Sequence, residues 1–147
     1  MSAEPGGALL WDLDGTLIDS EERWALVCRE VAEASGVGEW RPSPADISGL
    51  AIPILAGMLW ERGAAGTLRS LTMALTERMR TVNRRDGVRW RPGALDLLEA
   101  AHRNGVRQAL VTMSLEMNVI DILEQLPRPD FAGFVTAGMV ARHKPAP

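Results

Sequence analysis

The sequence predicts an α/β fold in which a doubly wound, Rossmann-like parallel sheet carries an inserted all-helical segment. Three observations support this prediction. Short apolar runs at 8–11, 106–111 and 131–136 are typical of buried strands. Helical patterns separate the second run from the third, and strands that alternate with helices form parallel sheets. Between the first two runs, residues 20–86 show helical periodicity throughout.

The first strand, 8–11, ends at the turn signal formed by Asp12 to Gly15. A helix is predicted to follow Ser20, an N-cap residue, and to end at Gly36. Its buried face is predicted from apolar residues at helical spacing, which are Trp24, Val27, Cys28, Val31 and Ala34.

The middle of the chain is predicted to be helical. Ser43 and Pro44 resemble the start of a capped helix, and Pro53 can begin the next one, which places Trp60 on a buried helical face. A longer helix is predicted over 67–85. Its buried stripe is predicted to consist of Leu68, Leu71, Leu75, Met79 and Val82. Together these helices predict an antiparallel hairpin or a small bundle.

After this segment the pattern returns to alternating helices and strands. A helix is predicted over 94–103, and the second strand follows at 106–111. Ser114 is interpreted as the cap of a helix over 115–126. The third strand, 131–136, precedes a last stretch without a predicted element.

Composition and charge exclude several classes of function. The 147 residues are 46% apolar and 24% charged, with a net charge of -3 at pH 7, which fits a globular protein. No basic run is present, so no nucleic-acid partner is expected. The apolar stretches are too short to span a bilayer, so no membrane partner is expected. The single cysteine, Cys28, and the lack of a signal-peptide pattern favour a cytoplasmic location.

The strongest functional signal is the run DLDGTL at 12–17, directly after the first strand. Two carboxylates two residues apart at the end of a strand can take separate roles. One can attack phosphorus or hold a cation, and the other can move a proton. Gly15 allows a sharp turn, whose backbone N–H groups can bind phosphate oxygens. The alternatives are an Asx-turn with solvated acids or a calcium loop, although Leu17 and Ile18 do not provide the further oxygen ligands that calcium needs.

Residues 11–20, WDLDGTLIDS, resemble the first motif of the haloacid dehalogenase-like (HAD) superfamily, in its β-phosphoglucomutase-like branch with a helical cap. The resemblance implies that Asp12 is a nucleophile that becomes an aspartyl-phosphate. It implies that Asp14 protonates the leaving group and then activates water. It also implies Mg²⁺ as cofactor, bound by the carboxylate of Asp12 and the backbone carbonyl of Asp14.

Two further motifs of the superfamily have counterparts here. The run LVTMS at 110–114 resembles the second motif, which implies that the Thr112 hydroxyl binds the phosphoryl group. His143-Lys144-Pro145 resembles the third motif, and Lys144 is the only lysine beside fifteen arginines. A compact ammonium can stabilise both a phosphoryl group and a carboxylate nucleophile as a point charge. An exposed lysine in the tail is the alternative interpretation.

The resemblance divides the chain into a core of residues 1–19 and 87–147 and a helical cap of residues 20–86. Gly49 resembles a cap glycine near the substrate. Sugar-phosphate mutases of this branch carry an arginine three residues later, which binds the distal phosphate of their substrate, and this chain has Ile52 there. The departure favours a plain phosphatase over a sugar-phosphate mutase.

The resemblance also implies an incomplete core. Members of the superfamily continue past the Lys-Pro motif into a helix, a fourth strand and an acidic pair that completes the Mg²⁺ shell, whereas this sequence ends at Pro147. The last strands of the core are therefore expected to be missing, which leaves strand 8–11 as an exposed edge. Self-association through that edge is expected besides binding of the substrate, and Mg²⁺ is expected to bind weakly.

We therefore predict a Mg²⁺-dependent phosphatase that hydrolyses a small phosphorylated metabolite in the cytoplasm through an aspartyl-phosphate. The alternative is a weak or inactive HAD-like fragment stabilised by association with another chain. Turnover by the 147 residues alone is accordingly expected to be weak or absent. A sugar-phosphate mutase is the further alternative. Sugar, nucleotide and polyol phosphates all stay open as substrates.

Overall fold

A computed structural model of the chain describes residues 7–127, 131–144 and 146. Its strands form one parallel three-stranded sheet in the order β1-β2-β3. The strands span Ala8–Trp11 (β1), Arg107–Val111 (β2) and Gly133–Val135 (β3). The helices span Glu21–Ala34 (α1), Pro44–Ile47 (α2), Ile52–Glu61 (α3), Leu68–Asp86 (α4), Ala94–Arg103 (α5) and Glu116–Leu123 (α6). A parallel sheet interleaved with helices confirms the predicted α/β class.

β1 lies at the edge of the sheet. It pairs with β2 in a register that sets Trp11 opposite Leu110, while β3 pairs with the other side of β2. In the described part of the chain β1 therefore has an open edge, and Leu10 on this strand is 71% exposed. This matches the expectation of an exposed edge strand.

Two clusters of buried apolar side chains stabilise the chain. One lies among the cap helices and includes Val27 of α1, Leu59 of α3 and Leu75 of α4. The other joins the sheet to α5 and α6 and includes Leu110 and Val119. The division of the chain at 19/20 and 86/87 stays a prediction. None of the helices in the described ranges combines the length and hydropathy needed to cross a bilayer.

The cap helices follow the predicted periodicity with three exceptions, of which the first is Ala34, an exposed residue in the last turn of α1 that was predicted to be buried. Cys28 is buried as predicted, and burial raises the pKa of its thiol to about 12. α4 begins and ends within one residue of the predicted bounds, and the stripe from Leu71 to Val82 is buried. Leu68 was placed in that stripe wrongly and is half exposed, because it lies in the first turn, before the packed part of the helix. Trp60 is also exposed rather than buried, although its neighbour Leu59 is fully buried, so only the face of α3 that carries Leu59 is covered at this end of the helix.

The elements after β2 are shorter than predicted. α6 begins at Glu116 and ends at Leu123, and Leu115 rather than Ser114 occupies its N-cap position. The interpretation of Ser114 as a helix cap is therefore wrong. The third strand covers Gly133–Val135 instead of 131–136. Residues 128–130, which connect the predicted helix to that strand, lie outside the described residues.

A cluster of ion pairs joins helix α4 to helix α6. Asp121 of α6 is buried, and its carboxylate accepts hydrogen bonds from Arg80 Nε at 2.7 Å and from Arg84 Nη2 at 2.8 Å. Both arginines belong to α4. The hydrogen bond from Arg80 is the main cause that holds the pKa of Asp121 below its usual value, against the opposing effect of burial. The cluster therefore stabilises the contact between α4 and α6 only while Asp121 is ionised.

Asp121→Asn should lower the free energy of unfolding by roughly 3 kcal/mol at neutral pH, because it removes the buried anion between two guanidinium groups. The folded-state pKa of Asp121 lies below its unfolded-state value. The stabilisation is therefore complete above the unfolded-state pKa of about 3.9, and it is lost as the pH falls through the folded-state pKa. Urea unfolding of both proteins over this pH range measures the difference.

Asp86→Asn is the matched control, because Asp86 pairs with Arg85 at the exposed end of the same α4 helix. Its unfolding curve should stay close to that of the unchanged protein at neutral pH. A destabilisation by Asp121→Asn that keeps its full size in acid would contradict the role given to the ionised carboxylate.

Candidate active site

The two strand ends that meet at the edge of the sheet form one wall of a pocket. Asp12 follows β1 directly and Thr112 follows β2, so the parallel register places them at the same edge. The pocket has a volume of about 190 Å³, and residues of the cap helices α1 and α3 and of the loop between α2 and α3 line its other side. It is therefore a cleft between the end of the sheet and the helices α1 to α3.

Asp12 and Lys144 form an ion pair at the core side of this pocket. Lys144 Nζ donates to Asp12 Oδ1 at 2.7 Å and to the carbonyl oxygen of Val111 at 2.7 Å. Thr16 Oγ1 donates to the other carboxylate oxygen of Asp12 at 3.2 Å. The side chain of Asp12 is 39% exposed, so its carboxylate stays accessible from the pocket. The structure thus brings together two residues that the sequence singled out from opposite ends of the chain.

Asp14 is held by a separate set of hydrogen bonds. Ser20 Oγ donates to Asp14 Oδ1 at 2.6 Å, and Trp24 Nε1 donates to the same oxygen at 3.1 Å. Ser114 Oγ donates to Asp14 Oδ2 at 2.7 Å. The first two donors lie at the start of α1 in the cap, and the third lies just beyond β2. The Asp14 carboxylate is therefore fixed by both sides of the cleft.

Thr112 lines the pocket from a rigid position. Its side chain is buried, and its backbone N–H donates to the carbonyl oxygen of Val135 at 2.9 Å. The N–H of Ser114 donates to Thr112 Oγ1 at 3.0 Å. Because this oxygen acts as the acceptor in that bond, the hydroxyl keeps its own proton for donation to a ligand.

The sequence did not identify the three donors to Asp14 as members of the site. Ser20 and Ser114 were interpreted as helix caps, and Trp24 as part of a buried helical face. One signal was available, since Ser20 and Trp24 are four residues apart and so lie on one face of a helix start. Ser114 gave no such signal, because a serine after a strand is equally typical of a cap.

The turn after Asp12 differs from the expectation in one respect. Gly15 has a φ of +76°, and a Cβ there would lie 3.3 Å from Glu21 Oε1, so the position favours glycine. However, the N–H groups of Gly15, Thr16 and Leu17 all donate to carbonyl oxygens within the turn. These N–H groups are therefore not available for phosphate oxygens as the sequence suggested.

Of the two residues beside Lys144, His143 contacts the backbone of the segment that follows β3. His143 Nε2 lies 3.2 Å from the carbonyl oxygen of Ala137, so the ring contacts backbone near the end of β3. Pro145, the proline of the motif, lies outside the described residues. The loop that presents Lys144 is thus in contact with the end of the sheet.

The oxygen atoms of the pocket fit a hard divalent cation with few protein ligands. The Asp12 carboxylate and a backbone carbonyl such as that of Asp14, which also lines the pocket, are the kind of donor that Mg²⁺ prefers. No group of three or more potential ligands among His, Cys, Asp and Glu occurs in the described residues. Because Mg²⁺ usually keeps several water ligands and is bound through one or two carboxylates and substrate phosphates, these residues are compatible with the ion but provide few ligands for it.

Comparison with known proteins identifies the family of the chain. A model of the haloacid dehalogenase-like hydrolase family matches residues 9–147. No curated protein matches the chain. CbbY from Rhodobacter sphaeroides in complex with phosphate superposes with a TM-score of 0.82 at 26% identity, over 95% of this chain and 67% of that protein.

Two more solved structures share the fold. A mutant of CbbY in complex with xylulose-(1,5)bisphosphate has a TM-score of 0.82 and 25% identity, over 95% of this chain and 67% of that protein. A predicted phosphoglycolate phosphatase from Haemophilus somnus 129PT has a TM-score of 0.73 and 20% identity, over 98% of this chain and 68% of that protein. The chain thus spans about two thirds of the length of these proteins.

Proposed function

The chain belongs to the haloacid dehalogenase-like hydrolase family, and on that premise we propose that it is a phosphatase that forms an aspartyl-phosphate on Asp12. Its substrate would be the phosphate monoester of a small metabolite. The observation that carries the proposal is the 2.7 Å contact between the Asp12 carboxylate and the Lys144 ammonium, beside Thr112 in the same pocket. These three side chains supply a nucleophile, a cation and a hydroxyl donor around one point.

In the first step an oxygen of the Asp12 carboxylate attacks the phosphorus in line with the ester oxygen. A bond forms between Asp12 and phosphorus, and the ester bond breaks with its electron pair on the leaving oxygen. Asp14, in its protonated form, gives that oxygen a proton, so the product leaves as a neutral alcohol. Lys144 and Thr112 donate to the phosphoryl oxygens and stabilise the charge that develops there.

In the second step water attacks the phosphorus of the aspartyl-phosphate. Asp14, now a carboxylate, accepts a proton from that water. The bond between phosphorus and Asp12 breaks, which releases inorganic phosphate and restores the Asp12 carboxylate. The hydrogen bonds from Ser20, Trp24 and Ser114 support this role, because they fix the position of the Asp14 side chain at the pocket.

Mg²⁺ is the cofactor we assign to this site. The Asp12 carboxylate and the Asp14 backbone carbonyl would hold it, with water and the substrate phosphate as further ligands. When bound, the ion neutralises part of the phosphate charge.

Two other features support parts of the proposal. Ile52 lines the pocket at the position where the mutases of this branch carry arginine, which favours hydrolysis over phosphoryl transfer between two sites of a sugar. The free, buried thiol of Cys28 is typical of a protein from a reducing compartment, which supports a cytoplasmic location.

Asp12→Asn should abolish Mg²⁺-dependent phosphatase activity, by roughly a thousandfold or more, because the amide is not a nucleophile toward phosphorus. Release of inorganic phosphate from a panel of small monoesters, with and without a chelator, measures the activity. Asp19→Asn is the matched control, since Asp19 has the same 39% side-chain exposure in the same motif but does not line the pocket. Equal rates for Asp12→Asn and the unchanged chain would contradict the proposal.

Trp24→Phe should lower kcat about tenfold with little change in KM, because it keeps the aromatic packing and removes one hydrogen bond to the Asp14 carboxylate. Steady-state kinetics on the best monoester measure both constants. Trp60→Phe changes an exposed indole elsewhere in the cap and should leave kcat unchanged. A loss confined to KM would assign Trp24 to substrate binding instead of to positioning Asp14.

The open edge of β1 favours a second candidate, an inactive fragment that associates with a second copy of itself. Leu9 is 39% exposed and Leu10 is 71% exposed on a strand whose outer hydrogen-bonding groups face no other strand in the described ranges. Edge strands with apolar side chains pair readily with other edges. In this candidate the contact between Asp12 and Lys144 is retained from a catalytic ancestor without turnover.

Light scattering after size-exclusion chromatography tests this second candidate. The chain should run as a dimer, and Leu10→Lys should make it a monomer, because a charge on an edge strand opposes pairing. Ile54→Lys, at an exposed apolar position of α3, is the control that should stay dimeric. A chain that is monomeric without any change and hydrolyses monoesters would exclude the fragment.

A further inference from the structure

The part of the pocket that lies away from Lys144 and Thr112 is small and mostly apolar. Its apolar lining comes from α1 to α3 and the loop before α3, and consists of Trp24, Ile47, Leu50, Ile52 and Leu55. Glu21 and Ser48 add polar groups there, and Ser48 Oγ donates to Glu21 Oε1 at 2.8 Å. The whole pocket has a volume of about 190 Å³, below the roughly 300–1,000 Å³ of sites for drug-sized ligands. The alcohol portion of a substrate must therefore be small.

Charge is distributed unevenly along this pocket. Among the described residues that line it, Lys144 is the only cation, and it is engaged with Asp12 at the phosphate end. On the cap side the charged lining residue is Glu21. A second anionic group on the substrate would therefore approach a carboxylate and apolar side chains, and it would meet no positive charge among the described lining residues. Both the repulsion and the loss of hydration oppose its binding.

We propose that the pocket selects phosphomonoesters whose alcohol portion carries no second anionic group. This rests on the proposed phosphatase function, because it names the substrate class of the same site. A short neutral alcohol suits this lining, since its carbon atoms would lie against apolar side chains such as Ile52 and Leu55 and its hydroxyl would donate to Glu21. The CbbY mutant, by contrast, was solved with a ligand that carries two phosphates.

A pair of esters with the same number of carbon atoms tests the selectivity. Glycerol 3-phosphate ends in a neutral hydroxymethyl group, and 3-phosphoglycerate ends in a carboxylate. The value of kcat/KM in the presence of Mg²⁺ should be at least about tenfold higher for glycerol 3-phosphate. Titration calorimetry of the same two compounds with the Asp12→Asn protein, which cannot turn them over, gives their affinities independently of hydrolysis, and it should show the same preference.

Two substitutions test whether the selectivity arises from the negative charge of Glu21 and from the lack of a positive charge among the described lining residues on the cap side. Glu21→Gln should reduce the preference about threefold or more, because it removes the negative charge on the cap side. Ser48→Arg, at an exposed lining position, should raise kcat/KM for 3-phosphoglycerate. Glu22→Gln is the matched control, since its side chain is 75% exposed and does not line the pocket. It should leave the preference unchanged.

The outcomes separate this proposal from the phosphatase proposal. Equal values of kcat/KM for the two esters, or a preference for 3-phosphoglycerate, would overturn the selectivity and leave the phosphatase standing. Preferential binding of glycerol 3-phosphate without hydrolysis of either ester would support the selectivity and reject the phosphatase. Failure to bind either ester would overturn both. Equal effects of Glu21→Gln and Glu22→Gln would overturn the assignment of the selectivity to Glu21.

Discussion

In the parallel register of β1 and β2, Trp11 lies opposite Leu110, so the chain leaves the sheet at Asp12 and at Thr112 along one edge. Backbone hydrogen bonds thus bring side chains that are distant in sequence into one pocket. The position of Lys144 also depends on this register, because its ammonium contacts both the Asp12 carboxylate after β1 and the carbonyl oxygen of Val111 at the end of β2. A slip of the register by one residue would separate the two oxygens that this ammonium joins.

The cap is attached to the sheet at two places with different consequences. At the pocket, Ser20 and Trp24 of the cap donate to the Asp14 carboxylate from one side while Ser114 donates from the other. At the far end of α4, the buried Asp121 joins the cap to α6 through arginine side chains and does not line the pocket. The first attachment sets the orientation of the Asp14 carboxylate, and the second stabilises the contact between α4 and α6.

The local sequence pattern was sufficient to predict the site residues that lie at the ends of strands. Asp12 follows an apolar run, and Thr112 follows another, so their meeting could be predicted once a parallel sheet was inferred. Lys144 was located from the motif around it rather than from any element. Ser114 was misassigned as a helix cap, whereas Trp24 packs against the helical cluster as predicted and its hydrogen bond to Asp14 was not predicted. A cap or a buried face explains such residues equally well when only neighbours in sequence are considered. Leu68 was misassigned for the same reason. The apolar spacing continues to the first residue of α4, whether or not another helix packs against that end.

The sequence by itself determined the α/β class, the order of the strands and helices along the chain, and the acidic motif at 12–17, because each depends on spacing within a short window. The tertiary structure alone decided which donors surround Asp14, and that Glu21 is the charged group on the cap side of the pocket. Periodicity shows which face of a helix or strand is apolar, but it does not show which other part of the chain packs against that face. Contacts between distant residues depend on strand register and helix packing, which form only when the whole chain is folded.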